Sequence, residues 1–499
     1  MLVEVLAFVV ILVLLYVAVK STGRPKGMPP GPTPLPIIGN FLEVIKWTSK
    51  NQMQIEFTKA AKKYGNIFTV DIPGDRTVVV NSASIAREAC LTKKDDFAGR
   101  PYKFTWDYLT RGSIDIAIGD FTPTLILQRK LVHSALRNYN PHLVENVEKE
   151  ADKLSKRLKS HAGNPVDPAH DFLLTTVNVI CAMVYGEHYE IDDPEFLMIL
   201  DYNTKMFRLL SAVHLLNIFP FLIHFPIKDS KDIELVRVNR DRLLDTKLHE
   251  HRETYQDGVI RDLTDALIKA LQEAQKEDSK VRDLITENHV VMTMTDAFSG
   301  GLETTMTSLR WYCAYMVLNP DIQAKVHAEL DDVVGRDVMP KWEDKSRLPY
   351  LEATIAETLR MSCVAALAVP HKASVDSTLA GYKIPKGTTL LLNIWAMHYD
   401  ENEWKSPHLF DPTRFLDDEG KFLHGSGTKS YLPFGAGRRV CIGEALAKQE
   451  LFIVISRLMH QFRIESPPGC PPPERIGYMG LVHMPKPYKI CFKERVLKN

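Results

Sequence analysis

"PFGAGRRVCIGE", residues 433–444, sets one cysteine, Cys441, among glycines and arginines and ahead of an amphipathic run. A cysteine taken alone is usually a small buried hydrophobe. Its neighbours here argue for more. Gly435 and Gly437 permit a tight turn and a close approach of backbone to something flat or bulky. The spacing of "IGEALAKQELFIVISRLMHQFR", residues 442–463, predicts an amphipathic helix. Cys441 is thereby expected at that helix's N-terminus, where free N–H groups and the dipole lower a thiol's pKa. Arg439, two residues earlier, offers a fixed cation with several donors.

The rest of the chain sets bounds on that stretch. Its 499 residues can bury a large core. Lys+Arg and Asp+Glu are both 62, a balance that argues against a nucleic-acid binder. Seven widely spaced cysteines without a CxxC are not a disulfide framework, so the bulk of the chain is expected in a reducing compartment. "MLVEVLAFVVILVLLYVAVK" opens the chain with an apolar run just long enough to span a bilayer, and Lys20, Arg24 and Lys26 come after it. Positive residues on that side keep the remainder of the chain cytoplasmic. A cleaved signal peptide would want basic residues before the run and a small-x-small site after it, and neither is present. The expected organisation is a transmembrane anchor over 1–19, a basic, proline-rich hinge over 20–40 and one globular domain over 41–499.

Beyond residue 41 the pattern is mainly helical, with apolar residues at helical spacing over 141–161 and 230–256. "NIFTVDIPGDRTVVVN" (66–81) predicts a hairpin turning at "PGD", and "LAGYKIPKGTTLLLN" (379–393) predicts a strand pair broken at "IPKG". No strand–helix alternation points to a parallel sheet. The fold class is mainly α with small β regions. "HLLNIFPFLIHF" (214–225) is read first as a core segment and second as a loop that dips into a membrane.

A thiolate, a flat space and a cation suit an iron porphyrin with acidic propionates. Phe434, Gly437, Arg439, Cys441 and Gly443 match F-x-x-G-x-R-x-C-x-G, the haem-ligand signature of the cytochrome P-450 family, and the chain is identified by resemblance as a member of it. Further motifs occur in the family's order. "GGLETT" (300–305) lies in an apolar run over 287–318 that as helix is roughly 45 Å long. Two glycines beside threonines are poor helix chemistry. The plain reading is a glycine packing site; the resemblance implies that Glu303 and Thr304 relay protons to bound dioxygen. "ETLR" gives Glu357 and Arg360 on one helix face, and "FDPTRF" gives Arg414; the resemblance makes these a structural cluster. It also assigns Arg100, Arg129, His371 and Arg439 to the propionates of haem b, with Cys441 as axial iron ligand and Phe434 and Gly437 beside it. Two departures stand out. The family usually carries Trp where this chain has Leu125, which implies a looser propionate contact, and often Pro where it has Cys363.

The resemblance implies oxygen insertion into a C–H bond, with reduced flavoprotein as electron donor. A lone "GAG" at 435 is no dinucleotide site, so the electrons are expected from outside the chain, and the resemblance implies an NADPH-dependent reductase as their source. "PHKASVDS" and "NIWAMHYDENEW" resemble the steroid 17-alpha-hydroxylase/17,20-lyase branch. That implies a lipophilic substrate of steroid type, cytochrome b5 as a second partner, and the endoplasmic reticulum membrane with the haem domain facing the cytoplasm. Lys345 and Lys448 suit such a partner, whereas Ala356 removes a cation and puts lyase activity in doubt. The alternatives are a xenobiotic, aromatic or fatty-acid hydroxylase of the same family, or a haem-thiolate hydroperoxide isomerase. The last commonly lacks the acid–alcohol pair kept here as Glu303–Thr304.

Overall fold

The computed structural model describes residues 23–211, 214–276, 284–424 and 427–495. The expected anchor over 1–19 lies outside them. Among the described residues no helix is long and apolar enough to cross a membrane. The chain forms two compact units, each assembled from separate stretches. Helices of eight residues or more are numbered α1 to α11 in chain order.

The first unit comprises the chain up to Pro101, Ala366–Met397 and Gly435–Arg439. It holds α1 (Phe41–Thr48), α2 (Met53–Tyr64) and the strands β1 (Ile67–Ile72), β2 (Asp75–Val80), β3 (His371–Lys372), β4 (Ser377–Leu379), β5 (Tyr382–Ile384) and β6 (Thr389–Leu392). β1 and β2 form the expected antiparallel hairpin, pairing Ile67 with Val80 and Ile72 with Asp75. Gly74, at φ +77°, supplies the left-handed turn residue.

The second expected strand pair is corrected. β5 does not pair with β6 across "IPKG"; it pairs back with β4 across Ala380 and Gly381. β6 instead runs parallel to β2, Thr77 opposite Thr389, with β3 antiparallel on its other edge. The sheet order is β1-β2-β6-β3. The reason lies in burial. β6 is apolar and largely covered, as an inner strand with neighbours on both sides must be. A parallel partner more than 300 residues away leaves no local sequence trace.

The proline-rich hinge is docked rather than free. Thr69 of β1 donates its N–H to Pro30 O (2.7 Å) and its hydroxyl to Pro29 O (2.9 Å). A Cβ on Gly31 would sit 2.0 Å from Thr69 O, so only glycine allows that approach.

The second unit comprises Tyr102–Ala365, His398–Phe434 and the chain from Val440 onward. Its long helices are α3 (Pro123–Ser160), α4 (Ala169–Tyr185), α5 (Pro194–Leu209), α6 (Lys228–Thr254), α7 (Leu263–Lys276), α8 (Glu287–Leu318), α9 (Pro320–Val333), α10 (Pro349–Ser362) and α11 (Glu444–Gln461). Short antiparallel pairs are formed by β7 (Phe462–Glu465) with β10 (Cys491–Glu494) and by β8 (Tyr478–Met479) with β9 (His483–Met484). α8 is the apolar run 287–318, opened by a capping box between Thr286 and His289. It packs on α4, α10 and α11, and α11 packs on α3. Trp311, Tyr312, Cys313, Tyr315 and Met316 of α8 are fully buried, which explains why propensity did not govern here: tertiary burial holds the helix despite its glycines.

Segment 214–225 corrects the first reading given to it. It is two short turns of helix, and Phe219, Phe221 and Phe225 are 42, 58 and 53% exposed, while Leu216 alone is fully covered. It is a surface segment, not core.

Candidate active site

In the second unit the Cys441 N–H donates to Phe434 O (3.0 Å), and Arg129 of α3 donates through Nη2 to Val440 O (2.6 Å). These bonds fix the loop on either side of the sulfur. Cys441 is exposed, whereas Cys90, Cys181, Cys313, Cys363 and Cys491 are buried. The Phe434 ring lies beneath Lys448 Nζ, 5.4 Å from its centroid.

The expected lowering of the thiol pKa is corrected. α11 begins at Glu444 with Gly443 as its N-cap, so Cys441 stands outside the first turn. Crowding by protein pushes the thiol above its ordinary value. The Gly443 N–H pulls the other way, the Glu444 carboxylate adds to the rise, and the Arg129 cation eases it. Proximity to a helix start did not suffice, because dipolar stabilisation fades beyond the terminal turn.

In the first unit, three of the expected anion-binding side chains gather. Arg439 donates through Nε to Ala98 O (2.8 Å) and Arg100 through Nη1 to Val369 O (3.0 Å) and Pro370 O (2.9 Å). His371 Nδ1 lies 2.9 Å from Phe97 O. Burial, then Arg100, then Arg439 drive the His371 pKa down to about 3, so the ring is neutral at ordinary pH. Two buried guanidinium groups suit an anionic ligand, while the imidazole's one N–H is already given to Phe97 O. Gly437 (φ +74°) lets this loop close: a Cβ there would lie 1.8 Å from Cys90 O. Arg438, outside the cluster, pairs with Asp95 at 2.9 Å.

α8 carries the acid–alcohol pair in the second unit. Thr304 donates its hydroxyl to Gly300 O (2.7 Å). Burial pushes the Glu303 carboxyl up, against a smaller opposing pull from Arg310. The two glycines differ. A Cβ on Gly301 would meet Ile180 Cδ1 of α4 at 2.4 Å, so Gly301 is a packing residue as the plain reading had it; Gly300 faces open space.

Glu357 and Arg360 of α10 are fully buried. Arg360 donates Nε to Glu357 Oε2 (2.6 Å) and Nη2 to Oε1 (2.8 Å). Glu357 Oε1 also accepts the Asp411 N–H (2.9 Å) and Arg414 Nε (3.3 Å). Arg360 further holds His398 O (2.6 Å) and Pro407 O (2.9 Å). The expected three-residue cluster is thus assembled in full. Burial pushes the Glu357 carboxyl up, opposed by both arginines and the Asp411 amide.

The two departures have structural counterparts. Leu125 is buried in the core next to the N-cap Thr122, whose hydroxyl accepts its N–H. Cys363 closes α10 at φ +41°, a conformation that proline cannot adopt, and its thiol is buried. Ala356 is buried, and its carbonyl accepts the Tyr431 hydroxyl (3.3 Å). Lys345 and Lys448 are paired with Glu352 and Glu444.

Sequence reasoning passed over three features. Asp115 and Asp296 form a buried carboxyl pair: Asp296 Oδ2 accepts the Ile116 N–H (2.6 Å), Asp115 Oδ1 that of Ile118 (2.6 Å), and burial raises both pKa values. The signal was available in Asp296, a carboxylate inside an apolar run. Glu450 of α11 is buried and pushed up to about 8. Thr307 and Arg310 continue the polar face of α8 beyond Glu303, at helical spacing that the sequence displays.

One family model, that of Cytochrome P450, matches residues 29–492 and so spans both units. The steroid 17-alpha-hydroxylase/17,20 lyase of Ictalurus punctatus is 39% identical over 472 residues, 94% of this chain and 91% of that relative. Its counterpart in Rana dybowskii is also 39% identical, over 485 residues, with 95% and 91% covered. A zebra fish cytochrome P450 solved with abiraterone superposes with a TM-score of 0.78 at 35% identity, covering 89% of this chain and 99% of that one. A zebra fish cytochrome P450 solved with progesterone gives 0.79 at 35% identity, covering 88% and 99%. An open thiol at the head of α11, an arginine–histidine cluster, an acid–alcohol pair on a long buried helix and these likenesses lead to one conclusion: the chain belongs to the cytochrome P450 family, whose members are monooxygenases of the oxidoreductase class.

Proposed function

We propose that the protein hydroxylates a steroid or similar rigid lipophile, with haem b held through Cys441. The observation that carries this reading is Cys441, an exposed residue whose thiol is crowded by protein, in a loop fixed by the Phe434 and Arg129 bonds, in a chain similar along 94% of its length to a steroid hydroxylase. The residues present fit the group. The crowding that raises the thiol is of the kind a metal cation relieves by taking thiolate. Arg100 and Arg439 are buried donors suited to a propionate, while the one N–H of neutral His371 is given to Phe97 O and helps to fix that cluster; Arg129 holds the loop at Val440, and Phe434 and Gly437 shape it. When bound, haem supplies dioxygen activation and insertion of oxygen into a C–H bond.

The chain's own residues do the rest. Glu303, raised by burial, holds a proton near neutrality more readily than a surface carboxylate does. The Thr304 hydroxyl, now donated to Gly300 O, can turn to accept that proton's hydrogen bond. Glu357, Arg360 and Arg414 hold the 398–414 segment and take no chemical part. Electrons come from an NADPH-dependent flavoprotein reductase, with cytochrome b5 as a second partner. We place the enzyme on the endoplasmic reticulum membrane, anchored by 1–19, with the haem domain over 41–499 in the cytoplasm. The exposed Phe219, Phe221 and Phe225 provide a second apolar contact with the bilayer surface. The kept Glu303–Thr304 pair favours oxygen activation over hydroperoxide isomerisation.

The test is spectroscopic and then chemical. The reduced protein under carbon monoxide should give a thiolate-type Soret band that Cys441→His abolishes; an unchanged band in the variant would reject Cys441. Progestogens, arachidonate and planar aromatics, compared by spin-state shift and product mass with reductase and NADPH, identify the substrate. Turnover of arachidonate alone would overturn the steroid assignment.

A further inference from the structure

α8 sets Glu303, Thr307 and Arg310 at i, i+4 and i+7, which is one face of a helix. Helical side chains lean toward the N-terminus, a direction that carries the Arg310 arm from its own turn toward that of Thr307. The electrostatics agree with that path, because Arg310 is the charged group that opposes the burial-driven rise of Glu303.

Its two members beyond Glu303 are buried but not satisfied. Thr307 is 0% and Arg310 6% exposed. Thr307 Oγ1 and Arg310 Nε have no hydrogen-bond partner among the described residues. Thr307 differs in this from other hydroxyls of the same helix. Thr293, Thr295, Thr304 and Ser308 each donate to the carbonyl four residues earlier, at 2.7, 3.0, 2.7 and 2.8 Å. The Thr307 hydroxyl is turned away from that bond. Arg310 has Tyr488 beneath it, the ring centroid 5.9 Å from Cζ, and the Tyr488 hydroxyl is spent on Arg310 O (2.5 Å). The titratable groups facing Arg310 are therefore Glu303 on its own helix and Tyr488, which also feels Cys313 and Asp167. A buried hydroxyl and a buried guanidinium N–H left unpaired each cost on the order of 1–3 kcal/mol. Paired donors and acceptors of this kind, one turn apart, are what an ordered buried water bridges.

We propose that Thr307 and Arg310 hold a water behind Glu303, and that Arg310 is the positioning residue that sets how readily Glu303 takes up and releases a proton. This rests on the reading of Glu303–Thr304 as the proton relay and extends it inward along α8. In it, Glu303 gives its proton toward Thr304 and takes a proton from the water, which is restored by a proton from bulk solvent, while Arg310 keeps its charge and donates only hydrogen bonds. Proton number is conserved at each transfer, and no redox change falls on these residues.

The first test needs no turnover. Infrared titration of the holoenzyme reads the Glu303 carboxyl stretch, identified by its loss in Glu303→Gln. Arg310→Gln should move its midpoint up by about one pH unit; Arg310→Lys should restore most of the shift. A midpoint that ignores Arg310→Gln overturns the positioning role. Thr307→Val, nearly isosteric, decides the water. If the hydroxyl holds one, the variant melts lower than the parent; if it is merely an orphan, its removal raises Tm and the water site is rejected. Turnover separates this from the parent reading. An enzyme that turns over and is uncoupled by Thr304→Ala, yet keeps its coupling and solvent isotope effect in Arg310→Gln, upholds the relay and sinks its extension. One that hydroxylates nothing sinks the functional reading, while the midpoint and melting data still decide the site.

Discussion

The Glu357–Arg360–Arg414 cluster and the Glu303–Arg310 face of α8 both bury charge in the second unit, in opposite ways. In the cluster every carboxylate oxygen is met, and Arg360 also holds three backbone carbonyls. On α8, Thr307 Oγ1 and Arg310 Nε are buried without a partner among the described residues, and Glu303 has only a cation two turns along. A closed network fixes loops, because breaking any member strands the others. An open one leaves proton acceptors and donors available for work. The difference lies in hydrogen-bond satisfaction and not in residue type, since each region consists of Glu, Arg and their neighbours.

The largest effect should come from breaking the closed network. Arg360→Ala leaves Glu357 buried and half-paired, and about 3–5 kcal/mol of stability should be lost in chemical denaturation. A loss under ~1 kcal/mol would mean that the cluster is dispensable and the contrast false. Glu450 gives the next. Its folded pKa of about 8 lies above the ordinary carboxyl value of 4.5. A raised carboxyl favours folding when protonated, so that stability is fully present below pH ~4.5, is lost as pH rises and is gone above about 8. Glu450→Gln should flatten the profile in that window, removing a slope worth at most roughly 5 kcal/mol; a parallel profile would show that Glu450 is charged and partnered.

The two α8 glycines sharpen the comparison within one turn. Gly301→Ala drives a Cβ against Ile180 Cδ1 and should destabilise by about 1–3 kcal/mol. Gly300→Ala meets nothing and should stabilise by up to about 1 kcal/mol, read as opposite shifts in Tm. Equal shifts would remove the packing assignment. The smallest effect belongs to Lys345→Ala. Its ion pair with Glu352 is partly solvated, and its loss should cost under ~1 kcal/mol, with any larger change appearing only in partner binding.

Much of the site could be read along the chain. Cys441 with its glycines, Glu303–Thr304 and Glu357–Arg360 are local patterns, at spacings that one turn or one helix face interprets. Helix α8, Glu287–Leu318, was legible as the long, largely apolar run 287–318. The failures share one cause. β6 pairs with β2 from more than 300 residues away, so the 379–393 stretch offered only a false local partner. The Cys441 thiol was read from its distance to a helix start, whereas surrounding protein sets the balance. Segment 214–225 looked like core from its composition, and composition does not say which side of a helix turn the fold covers.

The amino-acid order by itself determined the Cys441 loop motif, the acid–alcohol pair and the helical class, because each is written in residues a few positions apart. Tertiary structure alone decided which charges are closed off and which are left open. Burial and hydrogen-bond satisfaction depend on what the rest of the chain brings alongside, and that is not a property of any window of sequence.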